Sequence, residues 1–566
     1  MKIQNSLMLF ALFSIMLFVG SIDYADALKA KGTGLAPKSF GKATAGIVCG
    51  DKLCSEISSS SQYIEKISKK VHYPQLISDI PVVELSNNST FELSADMMTN
   101  TINGENLDMY GYNDQTPGPL IKVKQGDQVT VQFTNNIDFP TTVHWHGLRL
   151  DYTSDGVPGI TQDPIQPGDS FEYNLKFPDE GIFLYHPHVR TEMQMEKGLY
   201  GNILVESGKS LQVDYKIPLI LDDISIVDGS LEKFDSEMTT KTLMGRFGNT
   251  MMINGHVDYS LEVKQGDIAR FYLTSTANTR TFDFGIDQHK MKLVGDDASN
   301  YEKETIVESV IIAPSERRVI DVLFDTAGEF DIIHNTPEKT YVLGKVIVIP
   351  SSIMDSNVDF YKTVENEEII QEIEPFRKFF SVEPDLELEF DLTMMMPDGM
   401  AMEDDHSEMS DHGNMSTDKH ETMPMDKHES KLKPIEWEDE MPQMNAMSND
   451  ENTNWILRDV KTGKEGFDID YQANVGDIKK IRLVNSPDSA HPMQHPIHLH
   501  GQRFLVLNEN GVPNENLAWK DSVLVPTGST VDILAEFSNP GQWAMHCHIL
   551  EHAEAGMITE ITVNVP

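Results

Sequence analysis

One short pattern constrains the fold of this chain more than any other feature, because it recurs. Leu120-Ile-Lys-Val-Lys-Gln-Gly-Asp127 returns as Ser260-Leu-Glu-Val-Lys-Gln-Gly-Asp267 and, more loosely, as Asp470-Tyr-Gln-Ala-Asn-Val-Gly-Asp477. Each copy is a short alternating run, a Gly-Asp turn signal and then another strand-like run, such as Val129-Thr-Val-Gln-Phe133. Apolar residues at every second position line one face of a strand, so alternation marks a half-buried sheet. Many such runs parted by turn signals are the pattern of an antiparallel β-sandwich. Three copies in 566 residues predict three sandwich units. We place their boundaries at 82–209, 210–374 and 375–566.

The flanking and inserted segments read differently. Lys2 precedes a 13-residue apolar run, Leu7 to Val19, interrupted only by Ser14, and Ala25-Asp26-Ala27 resembles a cleavage site. Residues 1–27 are therefore expected to be a signal peptide. The run is short of the roughly 20 residues of a membrane span. Export to a periplasmic, cell-surface or extracellular location is expected, with membrane association only if the segment stays uncleaved. Residues 28–81, rich in Lys, Ser and Gly, read as a linker. It contains Cys49 and Cys54, whose spacing suggests a small disulfide loop in an exported chain. Residues 391–450 hold 12 Met and 4 His among many acids. They read as a low-complexity insert in the third unit.

Charge excludes one class of partner. The formal charge of −44 leaves no basic footprint for phosphates, so no nucleic-acid partner is expected.

Histidine placement carries the chemistry. Ten of the 19 His fall in four clusters: His144-Trp-His146-Gly, His186-Pro-His188, His495-Pro-Ile-His498-Leu-His500-Gly, and His546-Cys547-His548 with His552. All four lie in the first and third units. A lone H-x-H is usually an ordinary pair of strand residues, but four pairs confined to two units are not chance. Residues i and i+2 of a strand share a face, so each pair offers two imidazoles to one side. Imidazole is a common ligand for copper. Eight such groups suit a cluster of metal ions where the first and third units meet. Cys547, His552 and Met557 follow at regular spacing. With His495 they form a two-His, one-thiolate, one-thioether set of the blue-copper kind. Strand alternation turns Cys547 one way and His546 and His548 the other, which links the two sites through a few covalent bonds. His72, His256, His289, His334 and His491 are left over as structural or exposed residues, with only His491 near the presumed electron-entry side.

These motifs, in this order, resemble those of the three-domain multicopper oxidases, over about residues 82–566. The resemblance implies an all-β chain of three cupredoxin-like Greek-key β-sandwiches carrying four copper ions. By resemblance, His144 and His498 hold the type 2 copper. His146, His186, His188, His500, His546 and His548 hold the type 3 pair. His495, Cys547, His552 and Met557 hold type 1. Electrons from a reductant would enter at type 1 and pass to the cluster, where O2 is reduced to water. The middle unit would be a structural bridge. Asp155 matches an acidic residue that relatives use near the cluster, although Asp beside Gly is also ordinary turn chemistry. Several bacterial relatives carry Glu directly after the last type 1 His. Here that position is Ala553, followed by Glu554, so a second proton donor does not carry over.

The insert bears on the reductant. Thioether and imidazole favour Cu(I), and bacterial copper-efflux oxidases carry a Met-rich insert in the same unit. Met493 lies where those relatives place a Met near substrate copper, whereas the Asp two residues earlier is His491 here. Cu(I) oxidation with a role in copper homeostasis is the expectation. A laccase-type phenol oxidase, an Mn(II) or Fe(II) oxidase and a copper-storage protein are the competing readings. A copper nitrite reductase is a weaker one, since such proteins lack eight paired imidazoles in one chain.

Overall fold

The computed structural model describes residues 74–209, 211–351, 359–395 and 433–565. The expected signal peptide, Cys49, Cys54, His72 and the four His of the insert lie outside the described residues.

The chain is all-β, and its sheets pair off along the sequence. Strands Val82–Glu84, Leu120–Lys124, Gly201–Glu206, Gly181–His186 and His144–His146 form one sheet. Its companion contains Glu105–Tyr112, Ser89–Ile102, Gln128–Asn135 and Ser170–Lys176. A second pair of sheets is built from strands between Tyr215 and Ile349. A third is built from strands between Leu386 and Asn564.

The recurring pattern does the same work three times. In each unit its first run lies in one sheet and its second run in the other: Leu120–Lys124 then Gln128–Asn135, Tyr259–Lys264 then Ile268–Ser275, Tyr471–Asn474 then Asp477–Asn485. The chain crosses the sandwich at the Gly-Asp turn. Gly126, Gly266 and Gly476 take φ of +88°, +94° and +93°, a left-handed conformation that a side chain would strain. Because the first run does not return as a hairpin, it can run parallel to a neighbour. It pairs in parallel with Gly201–Glu206, Thr340–Ile349 and Ile558–Asn564 respectively. The sheets are thus mixed, where alternation alone suggested antiparallel ones.

Two expectations need correction. Gln75–Leu76, inside the expected linker, adds a parallel strand to Tyr215–Ile224, and Ile80 is buried. The apolar residues of that stretch are few but sufficient for an edge strand. The expected insert 391–450 is also too wide. Leu386–Met394 is a strand held on both sides, by Thr453–Asp459 and Asp477–Asn485. At the other end, Asn445 and Ser448 are buried and accept hydrogen bonds from the backbone N–H groups of Met244 and Leu243. Low complexity hid a strand and a docked turn at the two borders.

Packing explains why two distant stretches of chain meet. One apolar core runs from Trp145, Tyr173 and Phe133 of the first unit into Leu505, Trp519 and Leu534 of the third. Ile369 and Ile373, from the helix Glu367–Ile373, complete it. Burying such large side chains is worth about 1.5–3 kcal/mol each, so the first and third units are held face to face. No helix among the described residues is long and apolar enough to cross a membrane.

Candidate metal centres

The eight paired histidines converge. Ring nitrogens of His144, His146 and His498 lie within 4.8 Å of one another, as do those of His146, His186 and His548, and those of His188, His500 and His546. Seven of the eight are fully buried, and His188 partly so. Only His144–His146 lies wholly within a strand. His186 ends its strand and His188 lies just beyond, past Pro187. His498 is in the strand His495–Leu499, with His500 beyond its end. Strand alternation therefore accounts for the first pair, and strand ends deliver the others.

The hydrogen bonds decide which nitrogen six of the eight rings present. The Nδ1 atoms of His144, His186, His498 and His546 each donate at 2.8 Å to a backbone carbonyl, those of Asp155, Pro187, Asp521 and Cys547. His500 Nδ1 donates to Asp155 Oδ2 at 2.9 Å. A neutral imidazole has one N–H, so in these five the Nε2 lone pair is bare. His146 is reversed. Its Nε2 lies 3.1 Å from both Asp521 Oδ1 and Ser522 Oγ, which leaves Nδ1 bare.

These bare nitrogens point at no protein donor. Nε2 of His144, His186, His188 and His498, Nδ1 of His146 and both nitrogens of His548 have no hydrogen-bond partner among the described residues. His500 Nε2 and His546 Nε2 face each other at 3.0 Å with no proton to share, because each Nδ1 is the protonated one. Two lone pairs held that close repel unless a cation lies against them. Burial also keeps the rings neutral. It holds His146, His186, His188, His498, His500 and His548 well below the usual imidazole range, and His546 down at about 4. Neutral, buried, unpaired and convergent, this donor set fits bound metal ions.

The second centre is smaller. Cys547 Sγ is 3.6 Å from His495 Nδ1 and 3.9 Å from His552 Nδ1, and the two nitrogens are 3.3 Å apart. An ion about 2.0–2.3 Å from each would sit within such a triangle. The backbone N–H of Ile549 donates to Cys547 Sγ at 3.3 Å, which favours a thiolate. Burial alone pushes the thiol up, so only a bound cation would release its proton. Met557 is buried in the same core, and its carbonyl accepts from the Cys547 N–H at 3.0 Å. The end of the strand Gly541–Cys547 separates the centres: Cys547 joins His495 and His552, while His546 and, just past the strand, His548 join the other group.

Surrounding residues complete the site, and of these sequence reasoning missed Asp521, Ser522 and Trp455. Asp155 is 1% exposed and stands behind two rings, its carbonyl bound to His144 and its carboxylate to His500. Asp521 and Ser522 hold His146 and His498. The only hint of them was a charged pair, Lys520-Asp521, leading into an apolar run. Trp455 stacks on His552 with ring centroids 4.2 Å apart and donates Nε1–H to the Thr242 carbonyl. Glu554, half-buried, accepts from the Thr191 N–H at 3.0 Å, and burial beside Glu192 raises its carboxyl. Met493 is fully buried in the third unit's core. Leftover His491 is partly buried, its Nε2 2.9 Å from Met244 Sδ.

Comparison with known proteins agrees with this architecture. Three family models, each described as multicopper oxidase, match residues 95–210, 227–343 and 436–566. The chain is 28% identical to a multicopper oxidase of Staphylococcus aureus over 464 residues, covering 80% of this chain and 83% of that protein. It is 29% identical to a laccase of Fomitopsis schrenkii, covering 78% and 83%. A solved structure described as a metallo-oxidase, the multicopper oxidase from Campylobacter jejuni, aligns with a TM-score of 0.63 at 21% identity, over 88% of this chain and 97% of that one.

An all-β scaffold with a buried histidine cluster beside a Cys-His-His triad defines a copper oxidase. The chain belongs to the multicopper oxidases. It is accordingly a copper-dependent oxidoreductase that takes electrons from a reductant and uses O2 as the acceptor.

Proposed function

We propose that the chain holds four copper ions and oxidises Cu(I), with weaker laccase-type activity on phenols. His144 and His498 would hold the type 2 ion, and His146, His186, His188, His500, His546 and His548 the type 3 pair. His495, Cys547, His552 and Met557 would hold type 1. Copper, when bound, supplies the one-electron chemistry with O2 that no side chain performs. The protein's share is orientation and exclusion of water. It buries every ligand imidazole except that of the partly buried His188, fixes the protonated nitrogen on most of them, and joins Cys547 covalently to His546 and His548. Asp155 would move protons at its carboxylate, whose Oδ1 is buried and without a hydrogen-bond partner among the described residues. Export from the cytoplasm, where such an enzyme would meet excess copper, is part of this reading.

The contact between His491 Nε2 and Met244 Sδ carries the choice of Cu(I). An imidazole and a thioether are a soft pair. They lie beside Trp455, which stacks on His552. Met394, Met441 and Met444 pack against the same core. Met493, though buried, is two residues from His491 and keeps its place in this thioether-rich wall.

The decisive experiment compares Cu(I), Fe(II), Mn(II) and a phenol as reductants, with oxygen uptake recorded, in the wild type and in a chain lacking residues 396–432. Cu(I) should be the preferred reductant. The deletion should lower Cu(I) turnover and raise turnover of bulky phenols. Equal rates in both proteins would overturn the reading that the insert collects Cu(I) and shields the Cys547 centre from bulky phenols.

A further inference from the structure

The middle unit contributes no paired histidine and no cysteine, yet one of its side chains ends directly behind the histidine cluster. Arg317, on the strand Arg317–Leu323, is completely buried. Its Nη1 donates to Asp521 Oδ1 at 2.6 Å, and its Nη2 forms a second, short bond to Asp521 Oδ2. Two further donors are committed as well: Nε to the Ile182 carbonyl of the first unit and Nη1 to the Ser315 carbonyl, both at 3.1 Å. Such a two-pronged bond sets the plane of a carboxylate as well as its position.

That carboxylate, in turn, controls two rings. Asp521 Oδ1 lies 3.1 Å from His146 Nε2, and the Asp521 carbonyl accepts from His498 Nδ1 at 2.8 Å. Ser522 Oγ also lies 3.1 Å from His146 Nε2, and it accepts from Ser315 Oγ at 3.1 Å. Asp297, another residue of the middle unit, accepts from the Arg317 N–H at 2.8 Å and from the N–H groups of Asp521 and Ser522. The first unit makes room for the network. Gly147, next to His146, has φ +83°, and a Cβ there would lie 2.5 Å from Asp521 Oδ2 and 2.8 Å from Arg317 Nη2.

We propose that Arg317 is a positioning residue of the histidine cluster. Through Asp521 it fixes His146 with Nε2 turned away and Nδ1 toward the cavity, the reverse of the five neighbouring rings whose Nδ1 donates, and it steadies His498. The middle unit is therefore a working part of the centre, clamping one histidine from the first unit and one from the third. The inference rests on these histidines holding copper. It goes further by assigning the tautomer of one ring to an arginine whose hydrogen bonds reach that ring only through Asp521.

The test uses the full-length copper-loaded enzyme in wild-type, Arg317→Met and Arg317→Lys forms. Copper content, the type 2 EPR signal, the blue absorption of the Cys547 site and the melting temperature are measured on each. Wild type should carry four copper ions; a wild type that binds only one overturns the four-ion reading and this inference with it. Arg317→Met should keep the blue absorption while copper affinity at the histidine cluster falls about 10–100-fold, the usual effect of losing an outer-shell partner. Its residual type 2 signal should be altered. Arg317→Lys keeps the charge but not the fork, and should show a smaller change of the same kind. A four-copper wild type with Arg317→Met variants of unchanged type 2 signal and copper content, and only a lower melting temperature, would make Arg317 merely structural. Should Arg317→Met fail to fold, Arg317→Lys decides: an altered type 2 signal beside an intact blue band supports the assignment, and an unaltered one overturns it.

Discussion

The two metal centres are built on opposite plans. The Cys547 centre takes its side chains from residues 495–557 of a single unit, with Phe390 and Trp455 of the same unit packed against its rings. The histidine cluster takes four rings from the first unit and four from the third, and depends on Asp521 and Arg317 to orient them. The local centre takes every ligand from one sandwich, with Leu243 and Met244 of the middle unit packed into the same core. A shared one needs the assembly of all three. On the proposed assignment of the two centres, electron entry and oxygen reduction can fail separately, each through its own residues.

The largest expected effect breaks the local centre alone. Cys547→Ser should lose the blue absorption entirely and reduce oxygen uptake to background, since no thiolate remains to hold the copper that would accept electrons. The copper of the histidine cluster should stay, because none of the eight rings is touched. Metal analysis together with the type 2 EPR signal checks this. Loss of all copper from the variant would mean that the centres are not separable.

A smaller effect should mark the shared centre. Asp155→Asn keeps the carbonyl that binds His144 but weakens the charged acceptor of His500 Nδ1. Oxygen uptake should fall about 10–100-fold with the blue absorption unchanged. Single-turnover reduction of the blue band, followed optically, should be as fast as in wild type. A slower bleaching would put Asp155 on the wrong side of the comparison.

The smallest contrast is in proton release. The Cys547 thiol is held up by burial, so copper uptake must expel its proton. Binding there should tighten as pH rises, about tenfold per unit while the thiol remains protonated. Most rings of the histidine cluster are held below the usual imidazole range, and His546 at about 4, so they are already neutral at pH 7. Their copper affinity should be nearly flat from pH 7 to 8. Titrating the apo-protein with copper at both pH values, with the blue band and the type 2 signal as separate readouts, sharpens or removes the distinction.

Much of this arrangement was legible in the chain. Three copies of one strand-turn-strand pattern announced three sandwiches, because a two-residue period and a glycine turn are local properties. The ligand types were legible for the same reason: a His-Cys-His triplet divides its side chains between two faces wherever it forms a strand. The borders of the Met-rich segment were not. Leu386–Met394 alternates apolar and polar residues as a half-buried strand does, but the methionines that begin at Met394 blur where it ends, and its partners Thr453–Asp459 and Asp477–Asn485 lie too far along the chain for a local pattern to announce. The parallel pairing of the recurring strand was hidden too, since alternation is the same in either direction.

The histidine cluster shows the division most clearly. The sequence by itself determined that eight paired imidazoles and one thiolate belong to an oxidase scaffold of repeated sandwiches. Only the tertiary structure decided which nitrogen most of the rings offer. That choice depends on where a second proton acceptor lies, and for His146 the acceptor is Asp521, 375 residues away. Asp521 is held there by Arg317, from the unit that has no paired histidine of its own. Hydrogen bonds of this kind are short-ranged and directional, so they exist only after the three sandwiches have packed.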